Sequence, residues 1–215
     1  MIVWINPRRI DLHFRTTQPN TLRLKLALIR LQERLPILRK SARFLDLVLY
    51  SIEPFKVRAG FLKDVARVED VPTYGKIADF IEHRDDPARS LWYRDLVDEL
   101  ERTGTATHKA LVFRSEAEIR TFLESYVGGL VDSMAKTGYD RSKAHDIGTG
   151  IIAADGSIIK SVAGTHRFSV ARILGVSPVP LEIMGAHEDW MRAMKVNGNV
   201  DRLREAIREV EAQNQ

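Results

Sequence analysis

Gly164, Thr165, His166 and Arg167 bring together, in four consecutive positions, the residue types that a phosphate-binding turn uses. Glycine lets the backbone turn sharply and come close to a ligand. Thr165 can cap a helix starting at this point, whose first turn carries free N–H groups and the positive end of the helix dipole. His166 adds a donor that is tunable near neutral pH, and Arg167 a fixed planar cation suited to paired phosphate oxygens. The plainer reading makes Thr165 an N-cap and Arg167 a solvated charge. Four residues alone leave both readings open.

Such a turn needs a strand to deliver the chain and a helix to carry it away. Two β-type runs, one through Ile151 and Ile152 and one over 158–162, flank Asp155-Gly156, a dipeptide suited to a tight hairpin. Beyond the turn, Phe168, Ala171 and Leu174 fall at helical spacing and Gly175 suits the helix end. Residues 176–184 read as a further strand, with Pro178 and Pro180 confined to its entrance. Upstream, 115–134 is one long helical pattern. It opens on Ser115 with Glu118 at the reciprocal capping-box position and is loosened by Gly128-Gly129. Residues 2–5 and 10–14 read as short strands around Asn6-Pro7, and 55–58 alternate as a strand returning to the same sheet. Helices are expected over 74–81 and 91–102, the second with Trp92, Leu96 and Leu100 on one face. From Val200 onward, Leu203, Ile207 and Val210 continue a helical stripe that packs on its own domain or pairs with a second copy.

The succession of strand, Asp-Gly turn, strand, Gly-x-His-Arg turn, helix ending in Leu174-Gly175, then Val179-Pro180-Leu181-Glu182-Ile183, resembles the ParB/sulfiredoxin-like superfamily. The resemblance covers 126–184. Its helix at 130–134, followed by Lys136-Thr137-Gly138-Tyr139, is similar to the one preceding the hairpin in ParB-type domains. The opening Val3 to Ile10 is similar to the first strand of that fold. The resemblance implies an α/β (α+β) fold: a small mixed sheet of ParB/sulfiredoxin-like type with a largely helical insertion and a C-terminal helix. As a single domain, its core would be 1–14 and 126–190, its helical elaboration 15–125 and its C-terminal helix 199–212. It also implies that Gly164, Thr165, His166 and Arg167, with Ser133, hold nucleotide phosphates, and that ATP or CTP with Mg2+ is bound.

The departures from the family are chemical. Where sulfiredoxin has a cysteine, this turn has Thr165, and the chain contains no cysteine, which excludes sulfinic-acid reduction through a thiol. Partition-type proteins carry Gly-Glu-Arg-Arg followed by a helix-turn-helix; here the turn is Gly-Thr-His-Arg and no such pattern follows, which argues against DNA partition. A third branch phosphorylates free serine using an acidic residue near the N-terminus, where Asp11 is the nearby candidate in a motif that otherwise differs.

Composition narrows the class. A chain of 215 residues, 44% hydrophobic and 29% charged, can bury one good-sized core. Without cysteine it can form neither disulfides nor zinc–thiolate sites. The absence of a secretory signal and of any membrane-length apolar run fits the cytoplasm. The net charge of +4 is concentrated. Between residues 21 and 44 stand Arg23, Lys25, Arg30, Arg34, Arg39, Lys40 and Arg43 against Glu33 alone, with Leu24, Leu28, Leu31 and Leu35 at helical spacing. Such a basic amphipathic segment, centred on 22–44, packs its leucines on the core, or meets a membrane surface, a protein partner or nucleic acid.

The remaining candidates for chemistry are few. His187, with Glu188 and Asp189 beside it, suits acid–base work or, more simply, caps a helix whose Trp190 enters the core. Asp155 belongs to the hairpin turn, and the polar loop 83–87 reads as a solvated turn. No metal-ligand signature, nucleophile elbow, P-loop or dinucleotide fingerprint is present. The expectation is a nucleotide-dependent phosphotransferase acting on a small hydroxyl compound, or an NTP hydrolase, with Asp11, His187 and Asp189 as catalytic candidates. The alternative is a non-catalytic binding module that docks through 22–44, possible also as a homodimer.

Overall fold

The computed structural model describes residues 1–14, 55–58, 60, 62, 64–143, 147–196 and 199–215; the basic segment 22–44 lies outside them. Two compact units result. The first comprises Met1–Val68, His145–Gly164 and Pro178–Gln215, the second Glu69–Ala144 and Thr165–Ser177. The chain opens with β1 (Ile2–Ile5), a 3-10 turn at Pro7–Arg9, β2 (Leu12–Phe14), β3 (Lys56–Val57) and β4 (Val65–Arg67). It continues in the second unit with α1 (Pro72–Glu82), α2 (Leu91–Thr103), β5 (Ala106–His108), β6 (Leu111–Phe113), α3 (Glu116–Thr121), a π-helical stretch (Phe122–Gly128) and α4 (Gly129–Thr137). Then come β7 (Gly148–Ile152) and β8 (Ile158–Lys160) of the first unit, α5 (Thr165–Leu174) of the second, and finally β9 (Val179–His187), α6 (Glu188–Ala193) and α7 (Val200–Gln213).

The first unit is a seven-stranded mixed sheet in the order β1-β9-β7-β8-β2-β4, with β3 against the end of β9. Neighbours β1/β9, β7/β8 and β2/β4 run antiparallel, while β9/β7, β8/β2 and β3/β9 run parallel. Every residue of β7 is buried, as is nearly all of β9, which explains why these strands are mostly apolar, with Thr149, Glu182 and His187 as the exceptions, and do not alternate. β1, at the edge, alternates instead, with Val3 and Ile5 turned inward. A register shift between Gly150 and Ile151 leaves Met184 as an extra residue in β9.

Most expected elements are present: the two opening strands, the β-strand returning at 56–57, both early helices and the mixed α/β sheet with its C-terminal helix. The stripe of α7 buries Leu203, Ala206, Ile207 and Val210 against its own unit. The Trp4 amide donates to Glu211 Oε1 at 2.7 Å, the Asn6 amide to the Asn214 carbonyl at 2.6 Å, and Arg9 Nη1 to the Gln213 carbonyl at 2.8 Å, so the end of the chain clasps its beginning. The final strand runs three residues past the expected Met184, because Ile151, Ile152 and Val57 still offer backbone partners to Gly185, Ala186 and His187.

The second unit packs α1 and α4 against α5, and α1 against α2. Ser90 caps α2 by accepting the Tyr93 amide, and α2 buries Trp92, Tyr93 and Leu96. The β5–β6 pair was not expected: its turn carries Lys109 at φ 55°, so the glycine or asparagine that normally marks a hairpin is missing. The long helical pattern also differs in detail. Ser115 accepts the Glu118 amide as expected, but Glu118 Oε2 reaches the Arg114 amide (2.7 Å), not that of Ser115. The middle of the pattern winds as a π-helix. Among the described residues no helix is long and apolar enough to cross a membrane.

Gly164 and Gly104 both hold left-handed backbone, at φ 67° and 77°, but only Gly164 is crowded: a Cβ there would sit 2.6 Å from the Gly148 Cα. Gly104→Ala is therefore expected to cost about 1–2 kcal/mol in backbone strain alone. Gly164→Ala should add roughly 1–3 kcal/mol from overpacking. Urea unfolding of both variants checks the difference; equal losses would mean that the glycine–glycine contact contributes nothing.

Candidate functional site

The chain reaches the Gly-Thr-His-Arg turn from β8, whose last residue, Lys160, is completely buried. Its ammonium donates to the carbonyls of Ser161 and Ala163. Burial pulls the amine down from 10.5 to about 7, because an ammonium loses its hydration there. The Ala163 carbonyl also accepts the Thr149 amide at 3.4 Å, the Ser161 amide donates to the Thr149 carbonyl at 2.8 Å, and the hydroxyls of Thr149 and Ser161 lie 2.6 Å apart. Residues 161–164 are thus tied to the start of β7. Gly164 does make the close approach expected of it, but to the backbone of Ile147 and Gly148.

From Gly164 the chain enters α5 at Thr165. This ten-residue helix has no acidic residue in its first turn, so its positive end is not offset from within. Gly175 ends it, and the Val176 amide closes back onto the Ala171 carbonyl at 2.9 Å. Thr165 and Arg167 are half-buried, whereas His166 is buried.

His166 enters an aromatic cluster of the second unit. Its ring stacks on His108 with centroids 5.5 Å apart, leans on Trp92 at 5.7 Å and meets Tyr126 edge-on at 6.1 Å. His108 touches Trp92 and Phe122, both at 5.2 Å. Desolvation, then the charges of Lys109 and His108, push His166 down from 6.5 to about 4. Desolvation and nearby lysines lower His108 too. At neutral pH the histidine of the turn is therefore uncharged. The fixed cation of the turn is Arg167.

The same unit carries an open apolar groove of about 540 Å³, walled by β6 residues Leu111 to Phe113 on one side and Phe122 and Tyr126 on the other. Phe122 and Tyr126 stack with centroids 5.5 Å apart and planes only 13° off parallel.

The other expected residues are placed as follows. Ser133 is half-buried on α4, which packs on α5, and its carbonyl accepts the Thr137 hydroxyl. Asp11, His187 and Asp189 belong to the first unit. Asp11 is exposed at the approach to β2, its carbonyl accepting the Val68 amide at 2.8 Å. His187 caps α6, Nδ1 accepting the Asp189 amide at 3.1 Å, and Trp190 is buried as its plainer reading required. Asp189 pairs with Arg192 at 2.8 Å. Asp155 serves its turn: Oδ1 accepts from the Ser157 amide and hydroxyl, which lowers its pKa. In the loop 83–87, His83 caps α1 against the Asp79 carbonyl and Arg84 pairs with Asp132. Lys160, His108 and Tyr126 were not singled out from the sequence. A lysine flanked by Ile158, Ile159 and Val162 was the available signal for the first; nothing local marks the other two.

Comparison with protein-family models, curated proteins and solved structures gives no match to this chain.

The two depressed pKa values fix the sign of a pH dependence. Unfolded, His166 titrates near 6.5 and Lys160 near 10.5; folded, near 4 and 7. The unfolded chain thus binds more protons over pH 4–6.5 and again over pH 7–10.5, so stability rises with pH through both windows. Denaturant titrations at a series of pH values should show both steps. His166→Phe should shrink the lower step and Lys160→Met the upper. A wild-type profile that is flat in either window would overturn the downward shift of that residue.

Proposed function

We propose that this protein binds a nucleotide through the turn at 164–167 and uses it as a phosphotransferase toward a small hydroxyl compound or as an NTP hydrolase. The observation that supports the reading most is the start of α5. A ten-residue helix without an acid in its first turn follows a left-handed glycine directly and carries Arg167 in that turn. The N–H groups of a helix start beside an arginine suit phosphate oxygens. The family resemblance of the turn supports the same ligand. Phosphoryl transfer asks a protein mainly to position the phosphates and offset developing charge, which Arg167 and the helix dipole can do.

In this reading the four residues divide the work. Gly164 supplies the sharp turn, Thr165 opens the helix, and Arg167 supplies charge. His166, neutral in its aromatic surroundings, anchors the first turn and adds no charge of its own. Magnesium would accompany the nucleotide, coordinated largely by phosphates and water. Among the described residues no three acidic, histidine or cysteine side chains gather as a metal-holding group.

A thermal-shift screen with ATP, CTP and GTP plus magnesium tests the proposal. Nucleotide at about 100 times its dissociation constant should stabilise the wild type by roughly 2.7 kcal/mol. Arg167→Ala should lose that shift, and phosphate release or transfer to an added hydroxyl compound then separates hydrolase from kinase. No shift with any nucleotide would sink the reading.

A further inference from the structure

We propose that the apolar groove between β6 and the π-helical stretch receives the base of the nucleotide, which stacks on Tyr126. This rests on the phosphate reading of the α5 turn and adds to it where the rest of the nucleotide lies.

Three observations carry it. The groove is built of large apolar side chains left open to water: Tyr126 is 52% exposed, Leu111 48% and Val112 46%. A single exposed apolar residue is ordinary, but neighbours lining one cavity mark a binding surface. The wall is aromatic and pre-set. Phe122 backs Tyr126 in a nearly parallel stack and is itself held by Phe113 at 5.2 Å and Trp92 at 5.7 Å. Tyr126 is therefore a supported π-face, which is what a planar heteroaromatic ring binds. These rings stand on a π-helix, a form that occurs mostly as short insertions and frequently at functional sites.

The third observation connects the groove with the turn. Tyr126 contacts the ring of His166, and His166 immediately precedes Arg167 in the first turn of α5. One molecule with a flat ring at one end and phosphates at the other has the shape to use both. Glu118, Thr121 and Ser125 also line the groove. One Glu118 oxygen accepts the Arg114 amide and the Thr121 hydroxyl donates to the Ala117 carbonyl, so what they offer the polar edge of a base is acceptor capacity, with the Ser125 hydroxyl beside it. A free phosphate would leave the apolar walls without use, whereas a flat heteroaromatic ring covers them and still presents polar edge atoms.

The test compares binding of ATP, CTP, GTP and UTP with binding of tripolyphosphate, each with magnesium, by calorimetry on the full chain. Wild type, Tyr126→Ala and Tyr126→Phe are compared, with urea midpoints checked first. Tyr126→Ala loses the outer ring of the Phe122 stack, so its midpoint should fall modestly while the native state stays fully populated, and Tyr126→Phe should keep the wild-type midpoint. At least one nucleotide should bind wild type roughly tenfold or more tighter than tripolyphosphate. Tyr126→Ala should reduce that nucleotide to the affinity of tripolyphosphate, Tyr126→Phe should keep the advantage, and tripolyphosphate should bind all three alike. Equal binding of nucleotide and tripolyphosphate by wild type would overturn the base site while leaving the phosphate reading intact. The base site is also overturned if Tyr126→Ala changes self-association in sedimentation and leaves the nucleotide advantage untouched, since the groove then joins two copies of the chain. If tripolyphosphate does not bind at all, the phosphate reading falls. The four nucleosides then decide the groove alone: binding lost in Tyr126→Ala supports a ring site, and no binding overturns it.

Discussion

The backbone of Gly164 lies against that of Gly148 with no room for a side chain, and the local order of the first unit's turn region follows from that contact. Two peptide chains can approach this closely only where one of them lacks a Cβ. The approach then lets Thr149 and Ser161 exchange backbone and hydroxyl hydrogen bonds, and it brings the Ala163 carbonyl within reach of the Lys160 ammonium. A buried lysine is costly unless its donors are satisfied. Here the carbonyls of Ser161 and Ala163 take them, and their geometry is set in return. The glycine contact and the buried amine thus fix how the chain leaves β8 and arrives at the turn.

In the second unit the organising constraint is aromatic rather than backbone. Trp92 from α2, His108 from β5, Phe122 and Tyr126 from the π-helical stretch and His166 from α5 meet ring to ring. Histidine in such a cluster must be neutral to be tolerated, and the shift of His166 to about 4 expresses that cost. The π-helix belongs to the same constraint. Gly128 is buried, with the Phe80 ring 3.8 Å from where its Cβ would stand, so the helix packs closely on α1. The pair of glycines that loosens the helical pattern falls where the π turns end and α-helix resumes.

What could be read from the sequence was whatever depends on local spacing. The strand at 2–5 and the one read at 10–14 and formed at 12–14, the hairpin around Asp155, the helix opened by Thr165 and closed by Gly175, and the stripe of α7 all follow from alternation, turn residues or a 3.6-residue period. The β5–β6 pair escaped because Lys109 adopts the left-handed turn conformation at a cost that only tertiary packing can offset. The environment of His166 escaped for a related reason: its neighbours come from residues 92, 108 and 126, and no local pattern links them. The four turn residues were legible as a motif. Their division into an anchored neutral histidine and a charged arginine was not, because burial decides it.

That division also ranks the acid–base candidates for the proposed reaction. A neutral His166 packed among rings is poorly suited to collect a proton from an acceptor hydroxyl, since protonation would strand a charge in an apolar cluster. His187 is limited differently: its Nδ1 accepts the Asp189 amide, so the neutral ring carries its proton on Nε2 and offers a donor, not a base, to anything it meets. Asp189 is engaged with Arg192 at 2.8 Å, and Asp155 is spent on two bonds from Ser157. Both histidines are thus withdrawn from proton uptake by their surroundings, His166 by the rings packed on it and His187 by the helix cap that occupies its Nδ1.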